Sequence, residues 1–173
     1  MLILHKRLIL AAMLAWSAVH VPGAWAAPKY GRPIIGAVEY VDLDDAGLVV
    51  KARIDTGAGL TSINAEIVEI RPPANGKPER VVFRVVDKQA AKKTLERNVV
   101  EWVNIKKKGA GGFIMRPVVR LDFFLGGKRI EARANLADRE EFLYPVLIGR
   151  NVLNTGDFLV DPKKTFTHDP VCD

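Results

Sequence analysis

Beyond residue 33, apolar and polar side chains alternate with a period of two through much of the chain, while helical periodicity is scarce, so the pattern predicts a domain built mostly of strands. Leu48, Val50, Ala52 and Ile54 point one way and Val49, Lys51 and Arg53 the other, which makes a strand ending at Asp55. The clearest hairpin sets Val119, Leu121, Phe123 and Leu125 against Ile130, Ala132, Ala134 and Leu136, with Gly126-Gly127 as a two-residue turn. On the partner strand Glu131, Arg133 and Asn135 fall on the polar face. Further strands are expected at Ile34 to Val41, Val81 to Val86 and Val99 to Ile105. Arg71 to Pro78 holds three prolines and a glycine and reads as a loop. Many short strands with Gly and Pro turns predict an all-β domain, a small closed barrel or a sandwich.

The first residues break this pattern. Lys6 and Arg7 precede an apolar run from Leu8 to Val19, and Ala24-Trp25-Ala26 offers a small-x-small cleavage site. This reads as an export signal over residues 1–26, cut after Ala26, with an uncleaved anchor as the alternative. The run is shorter than the roughly 20 residues that span a bilayer. The expectation is a single domain over residues 27–173, periplasmic or secreted, with no membrane span after cleavage. Cys172 is the only cysteine, so no disulfide forms within the chain. The net charge of +6 falls to +4 without Lys6 and Arg7, and the basic residues are scattered with few aromatics among them. A nucleic-acid surface shows a denser stripe, so solvated faces with some bias toward an anionic partner are the better reading.

The candidate chemistry is Asp55-Thr56-Gly57-Ala58 at the end of the 48–54 strand. Peptide hydrolysis by paired carboxylates works because two Asp groups about 3 Å apart cannot both ionise and so share one proton as acid and base. Gly57 permits a tight turn, the Thr56 hydroxyl is placed to bond across the approach of two copies, and Ala58 leaves room. The tripeptide alone is equally an ordinary strand-ending turn. Because the motif occurs once, catalysis would require a homodimer with Asp55 from each chain.

Three motifs in order resemble the retroviral aspartic proteases. Asp55 to Ile63 is similar to their catalytic segment, with Thr61 and Ile63 at matching Thr and apolar positions. Gly109-Ala110-Gly111-Gly112-Phe113-Ile114 resembles their Gly-rich flap, although a plain flexible loop explains it as well. Leu147-Ile148-Gly149-Arg150-Asn151-Val152-Leu153 resembles the segment that leads into their short helix. Nearly all of residues 34 to 168 is similar to a bacterial family of retropepsin-like peptidases, long labelled ATP-dependent zinc proteases, some of which accompany glutamate-ligating enzymes. The resemblance implies a small closed retropepsin-like β-barrel with a short C-terminal helix. It further implies an aspartic endopeptidase acting on a peptide or protein substrate without cofactor. Asp55 would be catalytic and Thr56, Gly57 and Ala58 would support the dyad. Residues 109–113 would form the flap, and Thr61, Gly149 and Arg150 would be structural residues near the site.

The older label does not suit these residues. His5 and His20 lie in the signal, leaving His168, expected to face solvent, whereas zinc proteases use clustered histidines. A Gly-x-x-x-x-Gly-Lys-Ser/Thr phosphate loop is missing as well, so zinc and ATP are both disfavoured. Gly59 stands where the viral enzymes carry an acid that pairs with an Arg, leaving Arg150 to pair with Asp138 or Asp161; Asp138-Arg139 reads as a local ion pair. A non-catalytic peptide- or partner-binding module of the same fold, in an envelope complex, is the alternative to the enzyme.

Overall fold

A computed structural model describes residues 31–43, 45–86, 92–106 and 111–169. The expected signal at 1–26 lies outside the described residues. Among the described residues eleven strands and one short helix follow in order: β1 (Ile34–Gly36), β2 (Val38–Leu43), β3 (Leu48–Ile54), β4 (Thr61–Arg71), β5 (Arg80–Val86), β6 (Lys92–Asn98), β7 (Glu101–Lys106), β8 (Phe113–Leu125), β9 (Lys128–Ala137), β10 (Val146–Ile148), α1 (Arg150–Thr155) and β11 (Leu159–Asp161).

Six strands run β10-β3-β2-β8-β9-β4, and β10 pairs with β4 as well as β3, which closes them into a barrel. The expected closed barrel with a short C-terminal helix is the observed fold. Closure removes the free edges that an open sheet of this size would expose. Alternation drives it: in β3 the buried residues are Val50, Ala52 and Ile54, while Lys51 and Arg53 face out. Phe83, Phe123, Ile35, Ile63, Val119 and Ile148 are fully enclosed in the core. Gly126 and Gly127 take φ of 57° and 76°, the positive values that a two-residue turn between twisted strands requires.

The long 34–41 strand is two elements. β2 pairs with β3, but β1 turns away to pair in parallel with β11, and the Ala37 amide between them donates to the Lys164 carbonyl. Gly36 makes this crossing possible, since a Cβ there would lie 2.3 Å from the Lys164 oxygen. β6 has no counterpart in the pattern-based strands. Its sequence is mostly charged, and it is the last strand of the β4-β5-β6 extension, where Arg80 and Arg71 both pair with Glu96. Charged edge strands of this kind discourage pairing with other chains.

His168 does not face solvent fully; it is half-buried with Nδ1 2.8 Å from the Thr167 hydroxyl. No helix among the described residues is long and apolar enough to cross a membrane.

Candidate active site

β10 lies between β3 and β4, the two strands that flank the Asp55 turn, parallel to the first and antiparallel to the second. The backbone of Asp55 continues that ladder, its N–H donating to the Ile148 carbonyl at 2.9 Å. After Asp55 the chain turns back on itself. Its carboxylate Oδ1 accepts from the Gly57 amide at 2.9 Å and the Ala58 amide at 3.2 Å. Two backbone donors thus fix the carboxylate. Asp55 is half-buried while Thr56 and Gly57 are exposed, so the carboxylate is reachable from the surface of the barrel. A Cβ at residue 57 would lie 3.2 Å from Oδ1, tight enough that only glycine leaves the turn undisturbed.

The helix start braces this turn. The Arg150 amide donates to the Ala58 carbonyl at 2.8 Å, and the Arg150 guanidinium donates from Nη1 to the carbonyls of Thr56 and Gly57 at 3.0 and 2.7 Å. The expected pairing of Arg150 with Asp138 or Asp161 does not occur. With Gly59 in place of an acid, the guanidinium reaches the loop carbonyls directly, and the void is filled to within 3.6 Å of an added Cβ. Asp138 instead accepts from the Glu140 amide, and Asp161 from the Lys163 amide.

Thr61 ties the segment that follows Asp55 to the helix. Its N–H and hydroxyl both donate to Asn151 Oδ1 at 2.9 Å, and its hydroxyl accepts from the buried Gly149 amide at 3.0 Å. Gly149 has no room for a side chain: a Cβ would sit 2.7 Å from the Leu60 carbonyl carbon. Thr61, Gly149 and Arg150 therefore converge on one seam behind Asp55.

The candidate flap falls partly outside the described residues, which exclude Gly109 and Ala110. Gly111 and Gly112 are described, with φ of 72° and 95°, and Phe113 opens β8 opposite Lys106 of β7. The Gly-rich segment thus joins two strands paired from Glu101↔Val118 to Lys106↔Phe113. Phe113 and Met115 on this hairpin are 66% and 62% exposed, unusual for large apolar groups and suited to covering something else.

Two cations that pattern reading did not single out for the site are linked to it: Arg139 interacts with the Asp55 charge, and Arg116 with Arg139. Arg139 is buried, its Nε donates to the Tyr144 carbonyl at 3.3 Å, and the Phe142 ring lies 4.6 Å from the guanidinium carbon. It makes no ion pair with Asp138 among the described residues, because its side chain turns inward while Asp138 stays at the surface. Burial holds its pKa below the ordinary arginine value, the like charge of Arg116 adds to that, and Asp55 opposes it. Arg116, half-buried on β8, lies 3.5 Å from Asn135 Oδ1. Asn135 was expected on the polar outer face of β9, but is only 4% exposed. A lone asparagine in an alternating strand gives no signal that the sheet face above it is covered.

Among the described residues no group of three or more His, Cys, Asp or Glu side chains is placed to hold a metal.

Comparison with known proteins agrees with this geometry. The model of the RimB-like family, described as retropepsin-like aspartic endopeptidase RimB, matches residues 34–170. Two curated proteins, each called a probable alpha-L-glutamate ligase, are similar to this chain over 137 residues: one from Shewanella pealeana at 34% identity and one from Shewanella halifaxensis at 33%. The match takes in 77% of this chain but 29% of each relative, so the chain spans under a third of their length. A crystal structure of a Legionella pneumophila protein of unknown function superposes with a TM-score of 0.66 at 34% identity, covering 79% of this chain and 98% of that one.

Proposed function

The chain belongs to the RimB-like family of retropepsin-like aspartic endopeptidases, and from that premise we propose that it is an exported aspartic endopeptidase, active as a homodimer. The observation that carries this reading is the Asp55 turn. A carboxylate held by two backbone amides, next to exposed Thr56 and Gly57, is half of a dyad at a surface that a second copy can cover. In the dimer the two Asp55 groups share one proton. The ionised one takes a proton from water as that water attacks the scissile carbonyl, and the protonated one donates toward the carbonyl oxygen. The β7–β8 hairpin closes over the peptide and excludes bulk water.

Arg116 and Arg139 set the substrate preference. The Arg139 charge beside Asp55, and Arg116 on the hairpin that covers the peptide, favour an acidic side chain in the cleft. Relatives named for glutamate ligation are in keeping with an acidic peptide.

The test is to incubate residues 27–173 and the Asp55→Asn variant with a proteome-derived peptide library from acidic to neutral pH, reading new termini by mass spectrometry. Cleavage by the wild type alone, from a species that sediments as a dimer, is the expected result. A strictly monomeric protein at high concentration with peptide present would sink the shared dyad. A folded dimer that binds peptides and never cuts them would favour the binding module instead.

A further inference from the structure

Asn135 is a buried polar residue that the barrel does not need. It sits on β9 between the core residues Ala134 and Leu136, and its side chain falls on the opposite face of the sheet, opposite Val118 of β8 and Ser62 of β4. An aliphatic residue there would bury without the cost of desolvating an amide. Both ends of the amide are engaged instead. Nδ2 donates to the Thr61 carbonyl at 2.9 Å, which orients the group, and Oδ1 accepts from the Ser62 hydroxyl at 3.1 Å. The same oxygen faces Arg116 Nη1 at 3.5 Å.

Arg116 comes from the return strand of the β7–β8 hairpin, opposite Val103. Among the described residues no carboxylate lies within ion-pair distance of it, and the like charge of Arg139 acts on it from the same region as Asp55. A half-buried guanidinium with a cationic neighbour and no counter-ion turns toward solvent unless something holds it. Among the described residues the only side-chain acceptor it meets is Asn135, which the Thr61 carbonyl anchors to the segment that follows Asp55. Thr61 in turn is fixed by Asn151 and Gly149, so the position of Arg116 is referred back to the Asp55 turn through hydrogen bonds.

We propose that Asn135 is a positioning residue that, with Ser62, holds the Arg116 guanidinium in the substrate cleft and so determines selection of an acidic side chain. The inference rests on the peptidase reading only for where the cleft lies, and it concerns binding, so it is testable without turnover.

The experiment uses the full mature chain carrying Asp55→Asn, which leaves both backbone donors an oxygen to bond and keeps peptide uncut. Two fluorescent octapeptides serve as probes, identical except for Glu or Gln at the central positions, and anisotropy gives the ratio of their dissociation constants. In this parent the Glu peptide binds more tightly. Asn135→Leu, close in size, lowers that preference about tenfold, the scale of one charge-assisted bond. Arg116→Gln lowers it equally, and the double variant no further, because the two act as one unit. Ser62→Ala, which loses one bond to Asn135, has a smaller effect in the same direction. Melting temperatures of all variants are read alongside; a merely structural Asn135 would shift melting and weaken both peptides alike. The proposal is overturned if Asn135→Leu leaves the Glu-to-Gln ratio intact, if its effect multiplies with that of Arg116→Gln, or if the parent does not prefer the Glu peptide. Failure of the parent to cleave before Asp55 is replaced would count against the peptidase reading and leave this result standing.

Discussion

Arg150 donates from Nη1 to the Gly57 carbonyl at 2.7 Å, so a side chain at the start of the last helix holds the turn that presents Asp55. The same nitrogen also reaches the Thr56 carbonyl at 3.0 Å. The contact replaces an ion pair with two carbonyl acceptors, which is why the loop keeps its shape although Gly59 supplies no carboxylate.

Lysine does not reproduce this brace, since its shorter side chain and rotating ammonium lack the fixed in-plane pair of N–H bonds that Nη1 aims at the two carbonyls. Arg150→Lys is expected to lower kcat/KM at least tenfold while costing roughly 1 kcal/mol of stability, the usual net worth of such bonds. Steady-state kinetics and urea unfolding of the same preparation separate the two effects. Full activity in Arg150→Lys would show that the turn holds itself.

Thr61→Val is nearly isosteric, but it removes the hydroxyl that bonds Asn151 and accepts from the Gly149 amide. A buried N–H is then left without its acceptor, and the expected loss is about 1–3 kcal/mol. Chemical denaturation measures it, and Thr61→Ser, which keeps the oxygen, is expected to recover most of the difference.

Gly149→Ala places a methyl 2.7 Å from the Leu60 carbonyl carbon and 2.9 Å from its oxygen. Backbone cannot swing aside as a side chain can, so the strain is expected to cost about 1–3 kcal/mol and to displace the catalytic segment. The predicted signature is a lower denaturation midpoint together with a fall in kcat that exceeds any change in KM.

Just past the end of α1, Arg32 pairs with Asp157, and that hydrogen bond, followed by the charge of Arg32, holds the Asp157 carboxyl below its ordinary value of 3.8. A depressed folded-state pKa stabilises above the unfolded value and loses its effect as pH falls through the lower folded one. The pair is solvent-exposed, so the contribution is small and screened by salt. Asp157→Asn is expected to lower the melting temperature slightly near pH 7, by an amount that shrinks at high ionic strength and disappears as pH falls below 4, so that the variant shows the weaker acid dependence.

Much of this protein is decided by local pattern. Alternation in 48–54, 119–125 and 130–136 predicts β3, most of β8 and most of β9, because side chains on a strand must face opposite ways and one face here is buried. The paired glycines 126 and 127 mark the hairpin, since only residues tolerant of positive φ close so short a turn. The order of Asp-Thr-Gly, a Gly-rich segment and Gly-Arg-Asn is sufficient for the family. What the chain does not display locally was settled by contacts between distant residues. The break at Ala37 arises because β1 finds β11, some 120 residues away, as its partner. Arg150 bonds carbonyls rather than acids because the fold brings its fork to the turn, and carbonyls are present in every residue and so leave no mark in sequence. Asn135 reads as a surface residue of its strand, Arg139 as half of a local ion pair with Asp138, and Arg116 carries no mark in the pattern, yet the fold buries or half-buries all three. Burial is a property of what covers a residue, and only closure of the barrel supplies the cover.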